Sequence, residues 1–148
     1  MKWLPDVNLL IALVSSGHVH HGAAQAWFAA SSKQGWCTTP LTELGLLRIL
    51  CHPSATDNPL TWPHALDLLR QLKAHPHWHF VGTGMPAELA LDAMQVQGHN
   101  QINDAYLLGL AVQGRMVLAT LDKGFASLLK RGDKRRAHVQ LLQLAQQH

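Results

Sequence analysis

The run Arg115-Met116-Val117-Leu118-Ala119-Thr120 limits the possible fold more than any other segment. Met116 to Ala119 carry no polar side chain, so a strand built from them shows apolar residues to both faces of its sheet. Such a strand needs helices on both sides, which is the situation of a parallel sheet. The rest of the chain supplies matching parts. Trp3-Leu4-Pro5-Asp6-Val7, Trp36-Cys37-Thr38, Trp78-His79-Phe80-Val81 and Val139-Gln140-Leu141-Leu142 are short segments read as strands. Helix-forming stretches lie between them: Asn8 to Val14, His20 to Lys33, Pro40 to Cys51, Trp62 to Leu72, Pro86 to Gln97, Asn103 to Ala111, and a short one at Phe125 to Leu129. This alternation predicts an α/β fold on a central parallel sheet. A length of 148 residues with 47% hydrophobic content suits one domain, 1–148, with a substantial core.

Local signals agree. Thr39-Pro40 and Thr61-Trp62-Pro63 read as helix starts, and Gly35 and Gly98 as stops. Gly45 falls inside a predicted helix, where it is costly unless a neighbouring element packs close. Val81-Gly82-Thr83-Gly84 lacks the third glycine and the ribose-binding acid of a dinucleotide fingerprint, and is read as a loop.

The chain has only nine Asp and Glu, and four of them stand at junctions of strand and helix. Asp6 and Asp122 follow predicted strands, while Glu43 and Asp104 fall in first helical turns. Singly, each has an ordinary explanation as a turn former or a partner of the helix dipole. Together they lie at one edge of a parallel sheet, beyond the strand carboxyl ends, where such folds bind ligands. Hard oxygen donors gathered there suit Mg²⁺ or Mn²⁺ and phosphodiester chemistry. Asp57, Asp67, Glu88, Asp92 and Asp133 fall in loops or on polar helix faces. Those five face twelve Lys and Arg, giving a basic exterior around an acidic pocket. A polyanion such as nucleic acid fits that balance, and ordinary solubilising charge is the plainer explanation.

Four segments carry a family resemblance: Asp6-Val7-Asn8-Leu9-Leu10, Thr42-Glu43-Leu44, Asn103-Asp104-Ala105-Tyr106-Leu107-Leu108, and Ala119-Thr120-Leu121-Asp122-Lys123-Gly124-Phe125. In order and spacing they resemble the PIN domain, most of all the VapC-type toxin ribonucleases of type II toxin-antitoxin systems, over essentially the whole chain. The resemblance implies a three-layer α/β/α sandwich and a Mg²⁺- or Mn²⁺-dependent endoribonuclease leaving a 3′-hydroxyl and a 5′-phosphate. It implies a VapB-type antitoxin partner, a homodimer, and structured RNA such as tRNA or rRNA as substrate. The quartet it assigns to catalysis and metal is Asp6, Glu43, Asp104 and Asp122, with Asp6 and Asp104 at the positions of direct ligands. Asn8 and Thr120 match polar positions that line the pocket.

Two other readings compete. A PIN-fold module that binds RNA or protein without cleaving would not need all four acids. A phosphoacceptor receiver domain would need an acceptor Asp after a mid-chain strand, whereas Asp57 sits in a Pro-bounded loop. Arg48, Lys123, Lys134, Arg135 and Arg136 are candidate RNA contacts, with a solvated surface as the alternative. The eleven histidines, notably His75, His77 and His79 and the group His18, His20 and His21, are read as surface residues rather than a transition-metal site. Trp27 and Phe28 are candidates for an exposed hydrophobic surface facing a partner. Cys37 and Cys51 lack zinc-site spacing, and are expected to be reduced. No apolar run approaches the length of a membrane span, and Asp6 interrupts the N-terminal segment before a secretory core develops. A cytoplasmic location is therefore expected.

Overall fold

The computed structural model describes residues 1–82 and 84–143. Among these, five strands form one sheet: β1 (Trp3–Pro5), β2 (Trp36–Thr38), β3 (Trp78–Phe80), β4 (Val117–Thr120) and β5 (Val139–Leu141). All neighbouring pairs are parallel, and the order is β3-β2-β1-β4-β5. The helices are α1 (Val7–Val14), α2 (His21–Ser31), α3 (Pro40–Leu50), α4 (Trp62–Lys73), the single turn α5 (Ala87–Ala90) and α6 (Ile102–Gln113).

Strand alternation sends successive side chains to opposite faces, and this explains the layering. Leu4, Cys37 and Leu118 point to one side, where they pack with Leu107 and Leu108 of α6 and with Phe125 and Leu128. Trp3, Trp36 and Ala119 point to the other side, against α1 to α4 through Leu9, Leu10, Trp27, Leu46 and Leu69. Helices thus cover both faces, giving the three-layer α/β/α sandwich. Leu4, Trp36 and Leu118 are fully buried. Burying a large aliphatic side chain contributes about 1.5–3 kcal/mol relative to exposure.

The chain builds outward from β1 through β2 to β3, then returns across the sheet so that β4 lies on the other side of β1. The β1–β4 seam is therefore the topological switch point, where a crevice opens beyond the strand ends. Its register pairs Leu4 with Leu118 and Pro5 with Ala119. Asp6 continues the seam, its backbone N–H donating to Ala119 O at 3.0 Å.

Several elements differ from the sequence expectations. The first strand stops at Pro5, because Asp6 turns out of it to cap α1. The helix expected over Pro86 to Gln97 shrinks to α5. Tertiary partners explain this: Arg135 donates to the carbonyls of Asp92 and Ala93, and Gln95 N–H donates to Leu128 O. Ala93 adopts φ of 56°, which ends any helix there. Arg115 has φ of 54°, so β4 begins at Val117. A 3₁₀ segment, Lys123–Leu128, replaces the short helix expected at Phe125 to Leu129. Of the loop Val81-Gly82-Thr83-Gly84, Thr83 lies outside the described residues. Gly45 packs against α1: a Cβ there would stand 2.7 Å from Val7 Cγ2.

Trp27 and Phe28 belong to the core, which overturns their reading as a partner surface. Trp27 meets Trp3 edge-on at 5.9 Å, and Phe28 meets Trp36 at 5.3 Å and His75 at 4.9 Å. The Ala-rich helix α2 turns its aromatic side inward because the broad rings of β1 and β2 offer the apolar surface to cover.

Candidate active site

Asp6 is the N-cap of α1, and its Oδ1 accepts the Leu9 backbone N–H at 2.8 Å. That bond satisfies one of the donors a helix start leaves free. Its other oxygen, Oδ2, accepts the Thr120 hydroxyl at 2.5 Å. Thr120 ends β4, and its Oγ1 also accepts the Asp122 backbone N–H at 2.9 Å. Asp122 caps the 3₁₀ segment that follows, with Oδ1 accepting Gly124 N–H at 2.8 Å. Asp104 lies in the first turn of α6.

These acids share one electrostatic environment. Burial pushes the Asp6 carboxyl up to about 6 from an ordinary 3.8. The Thr120 and Leu9 hydrogen bonds oppose that rise, and the charges of Asp104 and Asp122 add to it. Asp104 is also raised, by burial first and by Asp122 second. Asp6 is 3% exposed, whereas Asp104 is half-buried and Asp122 is open to solvent. The result is a graded acidic well, deepest at Asp6.

Glu43 is anchored differently. The Thr39 and Thr42 side chains form a reciprocal capping box at the start of α3, which sets Glu43 in its first turn beside the end of β2. Its Oε2 accepts the Thr38 hydroxyl at 2.6 Å, and its Oε1 accepts Lys73 Nζ at 3.0 Å. Lys73 is a partner of Glu43 that sequence reasoning missed. Thirty positions separate the two, and the only sequence signal is a Lys at the last turn of a helix leading into β3.

The family model of the PIN domain matches residues 4–130, which run from within β1 through Asp6, Glu43, Asp104 and Asp122 to beyond the 3₁₀ segment that follows β4. The chain belongs to the PIN-domain family. This PIN domain is 33% identical over 131 residues to Ribonuclease VapC38 of Mycobacterium tuberculosis, across 88% of the chain and 92% of that protein. It is 35% identical over 141 residues to Ribonuclease VapC39 of the same species, across 89% and 96%. Among solved structures, it resembles M. tuberculosis VapC20, a Sarcin-Ricin loop cleaving toxin, with TM-score 0.61 and 12% identity over 85% of the chain and 94% of that one. It also resembles VapBC2 from Rickettsia felis bound to a DNA fragment from their promoter, with TM-score 0.63 and 10% identity over 86% and 93%. At those identities the two structures speak for the fold alone.

The remaining expected residues of this PIN domain divide by what their side chains do. Asn8 is exposed on the first turn of α1, close in sequence to Asp6. Arg48 is exposed in the last turn of α3, roughly 140° around the helix from Glu43. Lys123 and Lys134 are exposed at the starts of the two 3₁₀ segments, Lys123–Leu128 and Lys134–His138, that lie between β4 and β5 in sequence. Arg135 is committed to Asp133 at 2.7 Å and to the Asp92 and Ala93 carbonyls. Arg136 donates to the carbonyls of Ala126, Leu129 and Lys130, closing the end of the 3₁₀ segment. Of His75, His77 and His79, only His79 lies in β3, so the three imidazoles do not share a strand face. His75 instead accepts from Trp36 Nε1 at 3.2 Å, and burial followed by the neighbouring His77 charge lowers its pKa. Among the described residues, no helix is long and apolar enough to cross a membrane.

Proposed function

We infer that this PIN domain is a Mg²⁺- or Mn²⁺-dependent endoribonuclease, the toxin of a VapBC-type module, neutralised by a VapB-type antitoxin and working as a homodimer. One observation carries the chemistry: a buried Asp6 at the β1–β4 switch point, hydrogen-bonded by Thr120 and flanked by the charges of Asp104 and Asp122. The VapC ribonucleases that align with nearly the whole chain support the same reading.

The donor set fits a hard divalent cation. Burial and mutual repulsion disfavour ionised Asp6 and Asp104, and a cation would reverse both effects. Among the described residues, no three of His, Cys, Asp or Glu stand close enough to hold a metal on protein ligands alone. Mg²⁺ commonly takes one or two carboxylates and keeps several waters. Asp6 and Asp104 are the residues assigned to hold it directly, with Asp122 and Glu43 as the outer carboxylates. A bound ion supplies the acidity that makes water a nucleophile and neutralises charge on the leaving oxygen.

The chain's own groups prepare that chemistry. Thr120 and the Leu9 N–H fix the Asp6 carboxylate in one orientation. Asn8 offers an exposed amide at the same helix start, suited to a phosphate oxygen or a water. Lys123, Lys134 and Arg48 offer exposed cations to an RNA backbone, tRNA or rRNA being the expected class. An antitoxin would act by covering the acidic pocket.

Purified protein incubated with total RNA tests this reading. Discrete products with Mg²⁺ or Mn²⁺, lost in EDTA and in a folded Asp6→Asn variant, are the expected result. Antitoxin added in equimolar amount should suppress them, and sedimentation velocity should show a dimer. A folded, antitoxin-free protein that cleaves no RNA under any of these conditions would overturn the assignment.

A further inference from the structure

Glu43 has its own cation, and this sets it apart from the other three acids. Lys73, the last residue of α4, places Nζ 3.0 Å from Glu43 Oε1, with the two side chains 28% and 14% exposed. The ammonium also stands 4.9 Å from the ring centroid of Trp78 and 5.3 Å from that of Phe80, both on β3. Aromatic faces at that range attract a cation and hold it in place. The other end of the carboxylate is equally occupied. Glu43 Oε2 accepts the Thr38 hydroxyl at 2.6 Å, and Thr38 Oγ1 accepts Trp78 Nε1 at 2.9 Å. Glu43, Thr38, Trp78 and Lys73 therefore close a ring in which each member is held by two others.

Both Glu43 oxygens thus have partners, and one of them is a full positive charge. A divalent ion taking Glu43 as a ligand would have to approach that ammonium at close range, or drive it from two aromatic faces. Among the described residues, Asp6, Asp104 and Asp122 have no such cation: Asp6 and Asp122 accept from a hydroxyl and backbone N–H groups, the charges of Asp104 and Asp122 disfavour ionised Asp6, and that of Asp122 disfavours ionised Asp104. We propose that Lys73 is a positioning residue that stands in for a second metal ion beside Glu43, so that this chain loads a single divalent ion on the Asp6, Asp104 and Asp122 side. The proposal rests on the metal-nuclease reading above and deepens it by setting the metal number. Lys73 acts through Glu43 and needs no contact with substrate.

Mn²⁺ alone is the probe, titrated into the antitoxin-free full chain and followed by electron paramagnetic resonance of the free ion. Wild type should bind one Mn²⁺ per chain. Lys73→Met frees Glu43 and should bind two, Lys73→Arg should return to one, and Lys73→Met with Glu43→Gln should also return to one. Thermal melting confirms that each variant is folded. Two ions on wild type, or one ion on folded Lys73→Met, would overturn the role of Lys73 while leaving the nuclease reading intact. No Mn²⁺ bound by folded wild type would overturn both. Should Lys73→Met not fold, Glu43→Gln decides: it should keep one ion with affinity reduced by no more than the roughly 10–100-fold of an outer-shell change, and a larger fall marks Glu43 as a direct ligand and overturns the role of Lys73.

Discussion

The Thr120 hydroxyl donates to Asp6 Oδ2 at 2.5 Å across the β1–β4 seam, joining residues 114 positions apart. The Thr120 hydroxyl oxygen also accepts the Asp122 backbone N–H at 2.9 Å, so one side chain bonds both the acid that follows β1 and the acid that follows β4. Hydrogen bonds to a carboxylate favour its charged form, and here they oppose a larger desolvation.

Asp6→Asn should alter how stability depends on pH. The metal-free Asp6 carboxyl is raised from 3.8 to about 6. An acid raised on folding contributes fully below about pH 4, where it is protonated in both states, and loses that contribution as pH rises through about 6. The difference amounts to on the order of 3 kcal/mol at complete ionisation. Urea unfolding in EDTA at pH 4.5 and pH 8 should therefore show Asp6→Asn gaining on wild type by ~1–3 kcal/mol at the higher pH. Saturating Mg²⁺ should stabilise wild type alone. A stability gap that does not change with pH would refute the buried-acid account.

Thr120→Val keeps the shape of the side chain and removes both of its bonds. Leaving the Asp122 N–H without this acceptor, and Asp6 without this donor, should cost ~1–3 kcal/mol. RNA cleavage should fall by about 10–100-fold, because the Asp6 carboxylate loses its fixed orientation. Thr120→Ser retains the hydroxyl and should recover most of the activity. Equal activity in Val and Ser variants would show that the hydroxyl orients nothing.

Gly45→Ala places a methyl 2.7 Å from Val7 Cγ2. Alanine would add roughly 1 kcal/mol of helix propensity, but overpacking costs ~1–3 kcal/mol and forces α3 off α1. Net destabilisation with reduced cleavage is expected, because Val7 adjoins Asp6. A second change, Val7→Ala, should restore stability in the double variant. Denaturant unfolding of the three proteins checks both halves.

Lys134 and Arg136 lie two residues apart and should behave oppositely. Arg136→Ala removes donors from three carbonyls and should destabilise by ~1–2 kcal/mol. Lys134→Ala should leave stability within about 0.5 kcal/mol and lower the salt slope of RNA binding by about one. Anisotropy titrations across a salt series, paired with melting curves, separate the two. An unchanged slope in Lys134→Ala would remove that lysine from the RNA surface.

The order of strands and helices, the both-faces burial of β4 and the placement of four acids at element junctions were all legible in sequence. Periodicity, caps and apolar runs act over a few residues, and the folded chain obeys them in Thr39-Pro40, in Val117 to Thr120 and in Asp6. Local propensity misled at Pro86 to Gln97, where Arg135 and Leu128 captured the backbone groups a helix would have used. It misled again at Trp27 and Phe28, whose surroundings come from β1 and β2 rather than from their own helix.

Within the site, sequence named the acids but could not assign their partners. Thr120 reaches Asp6 only because β4 returns beside β1, and Lys73 reaches Glu43 only because the end of α4 and the rings of β3 converge beside the start of α3. Composition and spacing along the chain therefore set which chemical groups are present and at which sheet edge they stand. Which carboxylate is buried, which meets another negative charge and which meets a cation depends on separations of a few ångströms between residues distant in sequence, and only the packed tertiary structure decides those.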